Sequence, residues 1–192
     1  FDMKNNLENF LIDQFDECIS TLINFKSSLE LIENSSKIIH LSLSHGKKII
    51  SFGNGGSAAD AQHFVAEFVG RFQKERKSLP AIAFTTDTSI ITSIANDYGY
   101  DKIFERQCES LVKEGDVVLA ISTSGTSKNV ILGAKMAKKN GAKVISLTGS
   151  RETQLTKISD ISIRVPSSSI PRIQEVHRLI LHLICSAVEH NY

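Results

Sequence analysis

With 192 residues, 41% of them hydrophobic and 22% charged, the chain fits one globular domain large enough to bury a substantial core. Its 22 Lys and Arg are interspersed with 21 Asp and Glu, so no basic stripe of the kind that neutralises nucleic-acid phosphates forms, which argues against a nucleic-acid partner. Three widely separated cysteines, Cys18, Cys108 and Cys185, offer neither a disulfide framework nor a thiolate zinc spacing, and the lack of a signal-peptide pattern or an apolar run of about 18 residues makes the cytoplasm the expected location, with no membrane partner.

Phe1-Asp2 ahead of Met3 reads as an added remnant, so Met3 is the expected native start. From Leu7 to Ile23 apolar residues fall at Leu7, Phe10, Leu11, Phe15, Cys18, Ile19 and Leu22, the spacing of an amphipathic helix that must pack on something. A second helical pattern runs from about Ser27 to Ser44 and stops at His45-Gly46, where glycine suits a C-terminal cap. Short apolar runs then alternate with helix-length segments: 48–52, 80–84, 116–121, 143–147 and 161–165. Strands that are apolar throughout, separated by helices, predict a parallel sheet covered on both faces. The fold class is therefore α/β, a three-layer α/β/α sandwich around a five-stranded parallel sheet. The last segment, 173–188, is apolar nearly all round; such a helix is central in the fold or buried between subunits, and with two helices at the other end of the chain an oligomer is expected.

Ligands of open α/β sheets bind beyond the carboxyl ends of the strands, and two strand ends carry unusual loops. Gly53-Asn54-Gly55-Gly56-Ser57 precedes a helix starting near Ala58; glycines let backbone N–H groups approach an anion, and the helix N-terminus favours negative charge. Ser122-Thr123-Ser124-Gly125-Thr126-Ser127 precedes a helix over 128–138. A helix cap needs one hydroxyl, and this loop supplies five, so a phosphate cradle is the better reading there. The first loop also matches G-x-G-x-x-A, but the acidic residue that should follow the second strand is missing, since that strand runs into Thr85-Thr86 before Asp87.

His63 and Glu67 stand four residues apart on the helix after the glycine loop and so share a face. Such a pair is more often a surface hydrogen bond than a metal site. Gln174, His177 and His182 are polar on the apolar C-terminal helix, where each needs a partner. Arg71, Arg76 and Arg172 have the reach to meet a phosphate, but arginine usually stays at the surface, and they are left out of the site.

The glycine loop with Asp60, Ala61, Gln62, His63 and Glu67, the Ala95-Asn96-Asp97 segment, the Ser/Thr loop, and Arg172-Ile173-Gln174-Glu175-Val176-His177 with His182 together resemble the bacterial phosphoheptose isomerases over nearly the whole chain. The resemblance implies the sugar isomerase (SIS) fold as a single domain, with 1–46 a helical arm for oligomerisation and 47–192 the core, assembled as a homotetramer. It implies conversion of sedoheptulose 7-phosphate to D-glycero-D-manno-heptose 7-phosphate, which supplies heptose for surface polysaccharide such as lipopolysaccharide or capsule. It also implies one Zn2+ per subunit on His63, Glu67, Gln174 and His182, with Glu67 and His182 as the acid and base. The substrate contacts it implies are Asn54, Gly55, Gly56, Ser57, Glu67, Asn96, Asp97, Ser122, Thr123, Ser124, Ser127 and Gln174.

Gln174 and His182 are about 12 Å apart along a straight helix. Joint ligation then requires a metal between two extended side chains, an irregular helix start near Gln174, or a ligand from a neighbouring subunit. Two rival readings are a non-catalytic SIS relative that binds a replication initiator, disfavoured by the presence of Glu67 and His182, and a sugar-phosphate-sensing regulator, disfavoured by the low net charge.

Overall fold

The computed structural model describes residues 2–191, with side chains from residue 6 onward. The expectation that Phe1 is an added residue lies outside the described residues. Helix α1 (Asp2–Phe25) is followed by one 3-10 turn at Lys26–Ser28 and by α2 (Leu29–Ser44). That turn takes the first two residues of the helix that the apolar spacing read from about Ser27, so α2 begins at Leu29. α2 ends at Ser44 with His45 as its C-cap, and Gly46 follows with φ of 70°, the left-handed conformation that closes a helix and that glycine adopts without strain.

The strands are β1 (Ile49–Gly53), β2 (Ala81–Ala83), β3 (Val117–Ile121), β4 (Lys143–Thr148) and β5 (Ile161–Arg164). They pair in the order β2-β1-β3-β4-β5, every neighbour parallel. The apolar runs are explained by burial on both sides, with alternate residues serving opposite faces. Val117, Leu119 and Ile121 of β3 face a core built with Ile32 and Ile39 of α2, Phe64 and Phe68 of α3 (Gly56–Val69), and Ile180 and Ile184 of α8 (Ile170–Glu189). Val118 and Ala120 face a second core, where α4 (Thr88–Tyr98), α5 (Ile103–Leu111), α6 (Lys128–Lys139) and α7 (Gln154–Ile158) contribute residues such as Ile94, Phe104, Val130 and Leu155. This is the three-layer sandwich the sequence predicts. β2 is a three-residue edge strand, shorter than the apolar run 80–84.

α8 begins at Ile170, three residues ahead of the apolar pattern, with Pro171 in its first turn where the missing N–H does no harm. It lies in the interior of a single chain: Ile173, Val176, Ile180, Leu181, Ile184 and Val188 are all buried in the first core. α1 is the opposite case. Its apolar stripe, including Phe10, Phe15 and Ile23, stays exposed, Phe15 by 67%.

Fully buried His177 ties α8 to the sheet: its ring Nε2 donates to the carbonyl of Thr148 at the end of β4, at 3.2 Å. Burial pushes its pKa down to about 4, against the pull of that hydrogen bond. An unfolded histidine takes a proton near pH 6.5 while the folded one refuses it until about pH 4, so His177 makes stability fall as the pH drops through that window. Between pH 7 and 4.5 the wild-type chain should lose about 2–3 kcal/mol more than His177→Gln does, read by urea unfolding at each pH; equal losses would contradict the assignment.

Candidate active site

β1 and β3 are neighbours, with Gly53 registered on Ile121 at their carboxyl ends. The helices that follow them, α3 and α6, leave to opposite faces of the sheet. This is the topological switch point, where a crevice opens, and both loops singled out from the sequence lie on it. Gly53 is required by packing: a Cβ there would stand 2.8 Å from the Ile121 carbonyl oxygen and 2.8 Å from Ser57 Cβ.

The side chain of Asn54 locks the two loops together. Its Nδ2 donates to Asn129 Oδ1 and its Oδ1 accepts from Asn129 Nδ2, both at 2.9 Å, while the Tyr100 hydroxyl donates to the same Oδ1 at 3.0 Å. Gly55, at φ of 54°, and Gly56 leave the loop backbone exposed. In the second loop the hydroxyls bind one another: Ser122 donates to Ser127 at 3.1 Å and Thr126 to Ser124 at 3.0 Å. Ser127 occupies the cap position of α6 without capping it through its side chain, so capping does not explain the hydroxyls. Thr123, Ser124 and Thr126 line a cleft of about 460 Å³ with the 149–154 and 167–168 segments.

The charged part of the site lies along the seam between α3 and α8. Each helix follows a parallel strand on the same face of the sheet, so the two run in the same direction and their residues meet in successive rungs. Gln174 lies over Gly56, where a Cβ would come within 2.5 Å of its Nε2. Asp60 meets Arg178 at 2.6 Å, and His63 Nε2 lies 2.8 Å from His182 Nε2. Glu67 Oε1 is 3.3 Å from His63 Nε2. Past the end of α3, Glu189 accepts the backbone N–H groups of Phe72, Gln73 and Lys74 and pairs with Arg76 at 3.0 Å. Arg76 in turn donates to the carbonyls of Glu67, at 2.6 Å, and Phe68, at 3.0 Å, closing the helix end that carries Glu67.

His63, Glu67 and His182 each offer a ligand atom, all within 4.8 Å of one another. A tetrahedral zinc with bonds of about 2.1 Å separates its donors by roughly 3.4 Å, so the set fits a divalent ion. Burial and the Arg178 charge lower the pKa of His63, outweighing Glu67, and so favour the neutral ring that a metal needs. Gln174 sits two turns back on a helix that is regular from Ile170, which removes the irregular start from the ways it could join the set.

Asn96 and Asp97 are exposed on α4, bonded to each other at 2.8 Å, and Asp97 lines a different depression with Tyr98 and Arg106. The single chain does not bring them to the seam. Asp87 caps α4 by accepting from the Ile90 N–H, a structural role that agrees with setting the dinucleotide reading aside. The expected surface position of arginine fails for Arg76 and Arg172. Arg76 is spent on Glu189 and the α3 end, and Arg172 is buried against α1, donating to the Gln14 carbonyl and to Glu175. Sequence reasoning missed Asn129, Tyr100, Arg178 and the 149–154 segment. The last carried a usable signal, Gly149-Ser150 directly after a strand, like the two loops that were found.

Comparison with known proteins places this geometry in a family. Residues 14–149 match the SIS domain. The chain is 49% identical over 183 residues to the phosphoheptose isomerase of Aliarcobacter butzleri, covering 95% of each. The solved phosphoheptose isomerase of Neisseria gonorrhoeae superposes with a TM-score of 0.91 at 38% identity, over 96% of this chain and 99% of that one. That of Francisella tularensis gives 0.92 at 36%, over 95% and 97%. The chain belongs to the SIS-domain family and, within it, to the phosphoheptose isomerases.

Proposed function

We propose that the chain interconverts sedoheptulose 7-phosphate and D-glycero-D-manno-heptose 7-phosphate, in the cytoplasm, as a step toward heptose for surface polysaccharide. The observation that carries this reading is the convergence of His63, Glu67 and His182 within 4.8 Å at the α3/α8 seam, next to the glycine loop. The relatives matched at high coverage carry the name of this activity, and nothing in them favours the reading as a partner-binding SIS protein.

Aldose–ketose isomerisation takes a proton from the carbon beside the carbonyl, passes through an enediol and delivers a proton to the former carbonyl carbon. In this reading Glu67 and His182, one on each helix of the seam, make these transfers. His63, Glu67 and His182, with Gln174 as the further ligand, would hold a divalent ion, Zn2+ in this reading, which supplies Lewis-acid polarisation of the substrate oxygens. Ser122, Thr123, Ser124 and Ser127, at the start of α6, take the distal phosphate, so that binding far from the reacting carbons orients them. Gly55, Gly56 and Ser57 present the loop that faces the sugar. Asn54 serves by joining the two loops. Asn96 and Asp97 remain in the substrate set on the strength of the resemblance. We read residues 1–192 as one SIS domain and the exposed stripe of α1 as a contact of a homotetramer.

Glu67→Gln should lower kcat by at least about 10²-fold while circular dichroism and the melting temperature stay near wild type; wild-type turnover would remove Glu67 from the chemistry. Phe15→Glu should shift the species seen by sedimentation equilibrium from four chains to fewer, and an unchanged tetramer would place the contact elsewhere.

A further inference from the structure

The rung between Gln174/Gly56 and His182/His63 is an ion pair that the isomerase chemistry does not use. Asp60, 4% exposed, holds the Arg178 guanidinium at 2.6 Å. Arg178 lies four residues after Gln174 and four before His182, and Asp60 lies three before His63, so both groups face the same seam as the three convergent ligand atoms. A guanidinium cannot lose its charge, and left loose at this position it would sweep the space the metal set surrounds. Its rung on the seam is the one next to the His63–His182 pair, so a divalent ion held there would feel the repulsion of an uncompensated guanidinium. Burial of Asp60 raises its own pKa, against the pull of Arg178. A buried carboxylate of this kind contributes little to stability for what its desolvation costs, which directs attention to what it does to its neighbour.

We propose that Asp60 is a positioning residue whose carboxylate holds and neutralises Arg178 one turn away from the His63–His182 pair, keeping the seam able to accept a divalent cation. The inference rests on the metal reading of His63, Glu67 and His182 given above. It separates two roles that an ion pair between helices can have. If the pair only fastens α3 to α8, removing either partner harms the site equally. If Asp60 acts by cancelling charge, the harm from its loss depends on Arg178 still being there.

The test is zinc affinity of the metal-free full chain, measured by competition with a chromophoric chelator, for wild type, Asp60→Asn, Arg178→Met and the double variant, each checked for melting temperature. Asp60→Asn should weaken zinc binding by about tenfold or more, the scale set by an uncompensated unit charge near a divalent ion at an effective dielectric of about 20. Arg178→Met should bind zinc at least as tightly as wild type, and the double variant should return to within about threefold of it. Asp60→Asn binding like wild type, or Arg178→Met and the double variant as weak as Asp60→Asn, would overturn the inference while leaving the metal site standing. A wild-type chain that takes up no zinc would overturn the metal reading and the inference with it.

Discussion

The site depends on how α3 packs against α8. Both helices return from parallel strands on one face of the sheet, so they run side by side in the same direction, and chemistry built on either advances in step with the other. The near end is set by Gly56, whose lack of a side chain lets Gln174 lie over it. The far end is set by Glu189, which fills a row of three backbone N–H groups beyond α3 and anchors Arg76 on the Glu67 and Phe68 carbonyls. Between these fixed ends His63 and His182 are brought to 2.8 Å. A slide of one helix by a single residue, about 1.5 Å, would shift one ring past the other, and misplacement of that size at a reacting centre is expensive in rate.

A second constraint supplies the other half of the site. The strand order makes β1 and β3 neighbours whose helices leave to opposite faces, and the crevice this creates is edged by the glycine and Ser/Thr loops. The reciprocal Asn54–Asn129 pair fixes one loop to the other. The chain thus divides its labour: neutral hydroxyls and backbone at the switch point suit a phosphate, and ionisable groups at the helix seam suit proton transfer. In the proposed reading, affinity for the distal phosphate would be spent on orienting the reacting carbons at the seam.

Much of this was legible in the sequence because it has a period or a composition. The five strands announced themselves as apolar runs since each is buried on both faces, and the Ser/Thr loop because five hydroxyls exceed what a helix cap requires. His63 and Glu67 could be paired because four residues is a helical spacing. Their meeting with His182 could not be read from spacing, since it depends on which two helices lie side by side, and only the resemblance to a known family suggested it. The central position of α8 stayed ambiguous for the same reason: a helix apolar all round fits an interior or an interface. Arg76 and Arg172 were misjudged because the usual exposure of arginine is overridden where Glu189 and the α1 backbone provide buried partners. Arg178 gave no signal at all, as its partner Asp60 is distant in the chain.

The central claim is that the convergent groups of the α3/α8 seam, loaded with a divalent ion, isomerise a seven-carbon sugar phosphate. Its most direct test is turnover of sedoheptulose 7-phosphate by purified protein of measured metal content, before chelation, after it, and after zinc is restored. The account predicts activity that is lost with the metal and regained with zinc. Turnover undiminished in metal-free protein would contradict the metal-assisted site, and no turnover in zinc-loaded, folded protein would contradict the assignment of the substrate.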